Sequence, residues 1–307
     1  MNANETGQGR IDGSRPRAQA HLRKHLPRLK RRMLCGGALL LGLFAQAGCT
    51  TIPSAATRRQ TADEVAAARD WARSTIAAPG FELTTYAPQR ITPDEILTIY
   101  IEGDGLAWLS TDTPSSDPTP RDPLALRLAL AQPSGNAAYL ARPCQFAGID
   151  SPRCSQRYWT RARFAAEVIE AMDAGVTQLK SRFGARQLTL VGYSGGAAVA
   201  ALLAARRTDV ERLVTVAGNL DHRAWTTHHR ISPLTDSLNA GDAAHQLRAI
   251  PQTHFFGSLD KIIPPTLALN LPSELRGQGN RHLQFMPDHD HQCCWVQDWP
   301  RLWALLP

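Results

Sequence analysis

The chain has 307 residues and is 43% hydrophobic, enough for a sizeable core in one large domain or two small ones. Its formal charge of +7 would suit a nucleic-acid binder, but residues 1–32 carry nine Lys/Arg against two acids and hold all of that excess. The remainder is balanced, so the charge belongs to a leader and no nucleic-acid partner is expected for the folded part.

The basic run ends at Arg31-Arg32, MLCGGALLLGLFA follows, and residues 33–48 carry no charge. A basic start, an apolar stretch too short to span a bilayer comfortably and a small-residue end predict a secretory signal over residues 1–48. The closing AGC resembles the end of a bacterial lipoprotein lipobox, with Gln46 departing from the apolar residue usual there. That resemblance implies a diacylated Cys49 as mature N-terminus and a membrane held through the lipid. An ordinary signal cleaved nearby is the alternative. KRRML resembles, more weakly, a twin-arginine signal. Thr50 stands where aspartate commonly marks inner-membrane retention in lipoproteins, so the implied address is the periplasmic side of an outer membrane.

Residues 49–80 are expected to form the lipidated N-terminus, a polar tether over 50–61 and a short amphipathic helix in ADEVAAARDWARSTIAA. FELTTYA and EILTIYIEG predict strands. TPSSDPTPRDP holds four prolines and reads as loop; Asp122 is then expected to cap a helix with Pro123 at its first position. A short strand follows around Ala138–Ala141, then a cysteine-bearing loop and a long helix ended by Gly184. Strand QLTLVG, helix GGAAVAALLAARR and strand ERLVTVAG come next. After a polar stretch without period come strand QTHFFG, a short Pro-bounded helix near PPTLALNL and strand HLQFM. In the final helix Trp295, Trp299, Leu302, Trp303 and Leu306 share a face. Strands alternating with helices predict an α/β fold with a doubly wound, mainly parallel sheet in one domain.

The strand–GYSGG–helix passage carries the strongest chemical signal. A sharp turn from buried strand to helix strains the serine's backbone and leaves no room for side chains beside it, which glycine at 192, 195 and 196 answers. A Gly-rich nucleotide-binding turn is the bland reading, but neither GxGxxG nor GKS/GKT is present. With this turn the chain resembles the α/β-hydrolase superfamily over residues 81–307, with a small cap insertion at about 219–248. The resemblance implies the order Ser, acid, His. It assigns Ser194 as nucleophile and Asp260, in FFGSLDKIIPP after the next-to-last strand, as acid. In PDHDHQCCW both His289 and His291 could be the base. Adjacency to the final helix favours His291, as does a closer set of bacterial lipoprotein-like hydrolases, also resembled in RPCQF, YWTRARF and NLDHRAW, where the histidine precedes CCW by two positions. Serine needs the imidazole to take its proton, and the imidazole needs a carboxylate to fix its tautomer. The superfamily's oxyanion donors map onto the N–H of Gly195 and of Asp104 in YIEGDG, with Gly105 in reserve, although Glu102 replaces the usual histidine.

Of the six cysteines, Cys35 leaves with the leader and Cys49 takes the lipid. Export leaves Cys144, Cys154, Cys293 and Cys294 in an oxidising compartment, expected as Cys144–Cys154 and Cys293–Cys294, with cross-pairings open. His222, His228, His229 and His245 read as exposed loop residues, and Trp159 and Trp225 as packing residues able to line a cap. The expected activity is hydrolysis of a carboxylic ester or related small-molecule acyl substrate, without cofactor or metal. The rivals are a hydrolase fold that has lost activity and a surface lipoprotein binding metal through HDHQCC.

Overall fold

The computed structural model describes residues 52–147, 153–276 and 281–307, which build a mostly parallel eight-stranded sheet. The leader over 1–48 and the lipidation site Cys49 lie outside the described residues. The strands are β1 (Trp71–Ala78), β2 (Phe81–Pro88), β3 (Ile96–Ile101), β4 (Asn136–Leu140), β5 (Gln187–Tyr193), β6 (Val210–Val216), β7 (Gln252–Gly257) and β8 (Arg281–Met286). Their spatial order is β1-β2-β4-β3-β5-β6-β7-β8. β2 runs antiparallel to both neighbours and the remaining pairs are parallel.

Parallel neighbours need crossovers, and helices supply them. The helices of the described residues are α1 (Ala55–Ala67), α2 (Leu124–Leu130), α3 (Ala166–Phe183), α4 (Gly195–Ala204), α5 (His222–His229), α6 (Ala244–Leu247), α7 (Pro265–Leu269), α8 (Ser273–Arg276) and α9 (Trp295–Trp303); α1 precedes the first strand and α9 follows the last. In α3, Val168, Met172, Val176, Leu179 and Phe183 recur at helical spacing and are buried; Gly184, at φ +65°, closes the helix in the left-handed region. Every residue of α4 is buried, which explains its small apolar composition. These two helices pack on one face of the sheet, while α1, α2 and α9 pack on the other. There Trp295, Trp299 and Leu302 are fully buried, and Trp299 Nε1 donates to Tyr100 Oη at 2.9 Å. Truncating such a tryptophan to alanine costs about 3–5 kcal/mol.

The N-terminal region differs from its sequence reading. Ser54, not a tether residue, caps α1 by accepting from Thr57 N–H, and the helix stops at Ala67. Trp71–Ala78, expected as helix, is strand β1, paired with β2 over its full length through the Pro79-Gly80 turn. Alanine-rich propensity lost to a ladder of backbone hydrogen bonds along the sheet edge, where only Ile76 is buried. Arg58 is buried and bonded to Asp117 at 3.0 Å, so residues 55–80 belong to the same folded unit as the rest. Asp122 does not cap α2 either: Pro123 is the N-cap residue, and the Asp122 carboxylate binds Arg127 instead.

Candidate active site

The carboxyl ends of β3, β5, β7 and β8 meet at a cavity of about 520 Å³, whose lining includes Asp104, Ser194, Trp225, Ile263 and His291. In an open parallel sheet this edge is where ligands bind.

Ser194 stands between β5 and α4 at φ +52°, a left-handed conformation strained for any residue but glycine. Its surroundings enforce it. A Cβ on Gly192 would come within 2.4 Å of Gly196 O, and one on Gly196 within 2.3 Å of Ile101 O. Ser194 N–H donates to Val216 O at 3.0 Å, and Asn219 N–H donates to Ser194 O at 3.0 Å, so both of its backbone polar groups are held. The hydroxyl is thereby turned into the cavity.

His291 Nε2 lies 3.0 Å from Ser194 Oγ, and His291 Nδ1 lies 2.8 Å from Asp260 Oδ2. The Asp260 side chain is fully buried, and its Oδ1 accepts from Ile262 and Ile263 N–H at 2.7 and 2.8 Å. Those two bonds aim Oδ2 at the imidazole. Tyr193 Oη donates to His291 O at 3.0 Å and so fixes the histidine's backbone. A carboxylate on Nδ1–H leaves Nε2 as the acceptor facing the serine, the tautomer that proton abstraction needs.

His289 does something else. It is buried against Trp295, with ring centroids 4.5 Å apart, and burial pulls its pKa down. Its nearest charged partner is Asp298, at 3.4 Å, rather than any residue of the cavity.

The loop after β3 lies against the serine turn. A Cβ on Gly103 would meet Ser194 Cβ at 3.2 Å, and one on Gly195 would meet Asp104 Oδ1 at 2.2 Å. Among the described residues, the N–H groups of Gly195 and Asp104 have no protein acceptor, and neither does that of Gly105. Glu102 is buried, accepts from Gly103 N–H at 2.9 Å and is pushed by burial up to about 7.

Cys144 is joined to Cys154 with Cα atoms 5.5 Å apart, and Cys293 is joined to Cys294. No group of three or more His, Cys, Asp or Glu among the described residues is arranged to hold a metal ion. Residues 219–248 hold α5 and α6, and α5 is pinned over the site by Trp225 Nε1 donating to Ile262 O at 2.9 Å. His222 is buried rather than exposed, beside Phe164. Trp159 is buried and donates to Ser115 O. Sequence reasoning missed Arg142 and Arg163, which bind the Asp104 carboxylate from far along the chain.

No protein-family model and no curated protein sequence matches the chain. Solved structures do. An esterase of Pyrococcus furiosus superposes with a TM-score of 0.52 at 13% identity, over 76% of this chain and 88% of that one. Est1E from Butyrivibrio proteoclasticus gives 0.52 at 14% identity, over 76% and 97%. The esterase domain of a Rhodothermus marinus protein gives 0.51 at 14%, over 76% and 94%. Strand order, the serine turn and these superpositions agree: the chain has the α/β-hydrolase fold.

Proposed function

We propose that this protein is an exported, membrane-anchored serine hydrolase that cleaves a carboxylic ester or related acyl substrate through an acyl-enzyme. The observation that carries this reading is the hydrogen-bonded line Asp260–His291–Ser194 at the cavity. His291 Nε2 takes the Ser194 proton as Oγ attacks the substrate carbonyl. The tetrahedral oxyanion accepts from Gly195 and Asp104 N–H. Collapse breaks the acyl–oxygen bond, and His291 returns the proton to the departing alcohol. Water then attacks the acyl-enzyme by the same route and releases the acid.

Trp108, Trp225, Leu106, Ile262 and Ile263 supply apolar lining for one arm of the substrate. The esterases among the similar structures support ester hydrolysis as the reaction class. The basic leader and the AGC–Thr50 junction support export and lipidation at Cys49, with the domain facing the periplasm from an outer membrane. Mass spectrometry of the mature N-terminal peptide decides this; an unmodified N-terminus beyond Cys49 refutes it.

The deciding experiment for activity is fluorophosphonate labelling together with hydrolysis of an activated aryl ester. The wild type should label on Ser194 and turn over, and Ser194→Ala should do neither, with loss of several orders of magnitude. Turnover persisting in Ser194→Ala would refute the assignment.

A further inference from the structure

The turn Arg142-Pro143-Cys144-Gln145 lies outside the Ser–His–Asp line, yet it is built with care. Gln145 N–H donates to Arg142 O at 3.2 Å, closing a tight turn with Cys144 at φ +70°. That conformation suits glycine, and a cysteine holds it only where its surroundings demand it. Cys144 is buried and bonded to Cys154. Gln145 is buried as well, and both ends of its amide are used. Arg142 N–H donates to Oε1 at 3.0 Å, and Nε2 donates to Gly103 O at 2.9 Å.

Gly103 O belongs to the same peptide unit as Asp104 N–H. In a trans peptide, planarity sets these two groups in opposite directions. Tying the carbonyl to Gln145 therefore turns the Asp104 N–H the other way. The Asp104 side chain is tied separately, its carboxylate held by Arg142 Nη1 at 3.4 Å and by Arg163 Nη1. Both guanidiniums are buried, and burial pushes that of Arg142 down to about 10. Arg142 also donates to Arg163 O, and Arg163 Nε donates to Thr160 O at 2.8 Å. The Asp104 carboxylate lies against Gly195, where the oxyanion would develop, and the two guanidiniums offset its negative charge there.

We infer that the Arg142–Gln145 turn is the positioning device of the oxyanion site: Gln145 sets the direction of the Asp104 N–H, and Arg142 with Arg163 clamps the Asp104 side chain. This rests on the proposed acyl-transfer reading of Ser194. Gln145 acts through the peptide it holds and does not touch substrate.

The test uses p-nitrophenyl acetate as substrate, benzeneboronic acid as a probe that becomes tetrahedral on Ser194, and fluorophosphonate to count reactive serines. Gln145→Met keeps the volume and removes the donor. It should lower kcat per labelled serine about 10- to 100-fold with KM nearly unchanged, and weaken the boronic acid by a similar factor. Gln145→Glu carries an internal control should Gln145→Met fold poorly. Its protonated carboxyl can still donate to Gly103 O, but its carboxylate repels that carbonyl. Activity of Gln145→Glu should therefore shift toward acid relative to wild type, a change that mere packing would not produce. Arg163→Lys, which keeps the charge on Asp104, should retain more activity than Arg163→Met. Unchanged kcat and boronic-acid affinity in Gln145→Met, or a wild-type pH profile in Gln145→Glu, would overturn the inference. If the wild type itself failed to label at Ser194, the acyl-transfer reading would fall instead.

Discussion

The turn after β5 and the loop after β3 lie against each other at the same cavity, but they are held in opposite ways. The Ser194 turn is local: its strain is enforced by Gly192, Gly195 and Gly196 within a few residues of the serine. The Gly103–Asp104 loop is held from a distance, by Gln145, Arg142 and Arg163, which lie 42, 38 and 59 residues away in sequence. A nucleophile needs one fixed atom, which a compact turn can give. An anion-binding pair of N–H groups needs two peptides from different strands to converge, and that calls for tethers reaching across the fold.

On the proposed mechanism, the most severe way to break the β5 side is to remove the imidazole that would take the Ser194 proton. His291→Ala should lower kcat by roughly 10⁴–10⁶-fold, and Asp260→Asn by about 10⁴-fold through the wrong tautomer. His289→Ala should stay within about tenfold of wild type, because His289 packs on Trp295 away from the cavity. Steady-state kinetics of the three variants on one ester distinguishes them; an inactive His289→Ala beside an active His291→Ala would reverse the assignment.

This asymmetry also explains what could be read before the fold was known. GYSGG announces itself because the constraint and the residues answering it are adjacent. Order along the chain pointed to Asp260, just after a late strand, but left both His289 and His291 open. Nearness to the final helix and a resemblance to lipoprotein-like hydrolases favoured His291, the one whose ring lies against Ser194 Oγ and Asp260. The Asp104 tethers were not, since nothing in RPCQ or YWTRARF says that those side chains meet YIEGDG. Strand β1 failed for a related reason. WARSTIAA carries no strong alternation, and its ladder with β2 is what makes it a strand; the Pro79-Gly80 turn was the one local signal for that hairpin.

The β3 side can be probed through Glu102. Burial raises its pKa to about 7 in the folded protein, above the ordinary value near 4.5. The folded state thus keeps a proton that the unfolded chain gives up. The associated stability is fully present below pH 4.5 and is lost as pH rises toward 7 and beyond, by up to about 3 kcal/mol. Glu102→Gln has no such proton to lose, so its unfolding free energy should fall less than that of wild type over this interval. Urea denaturation at a series of pH values measures the difference. Equal slopes in the two proteins would mean that Glu102 is ionised at no cost, and that the loop after β3 is wetter than its burial implies.

The smallest expected effect sharpens the contrast between local and distant support. Cys144–Cys154 closes a loop spanning 10 residues in sequence, and its loss should destabilise the protein by about 2–3 kcal/mol, mainly by freeing the unfolded chain. The paired variant Cys144→Ala/Cys154→Ala keeps Gln145 and Arg142 but removes the cross-link that holds Cys144 in its left-handed turn. Denaturation should reveal the stability loss. Turnover per labelled serine should fall by only a few-fold, less than in Gln145→Met, since the amide still reaches Gly103 O in most molecules. The β5 turn has no such dependence, so the final extent of fluorophosphonate labelling should stay at the wild-type level while boronic-acid affinity falls. A loss of labelling as large as in His291→Ala would mean that the disulfide supports the nucleophile directly, and that the two halves of the site are one mechanical unit.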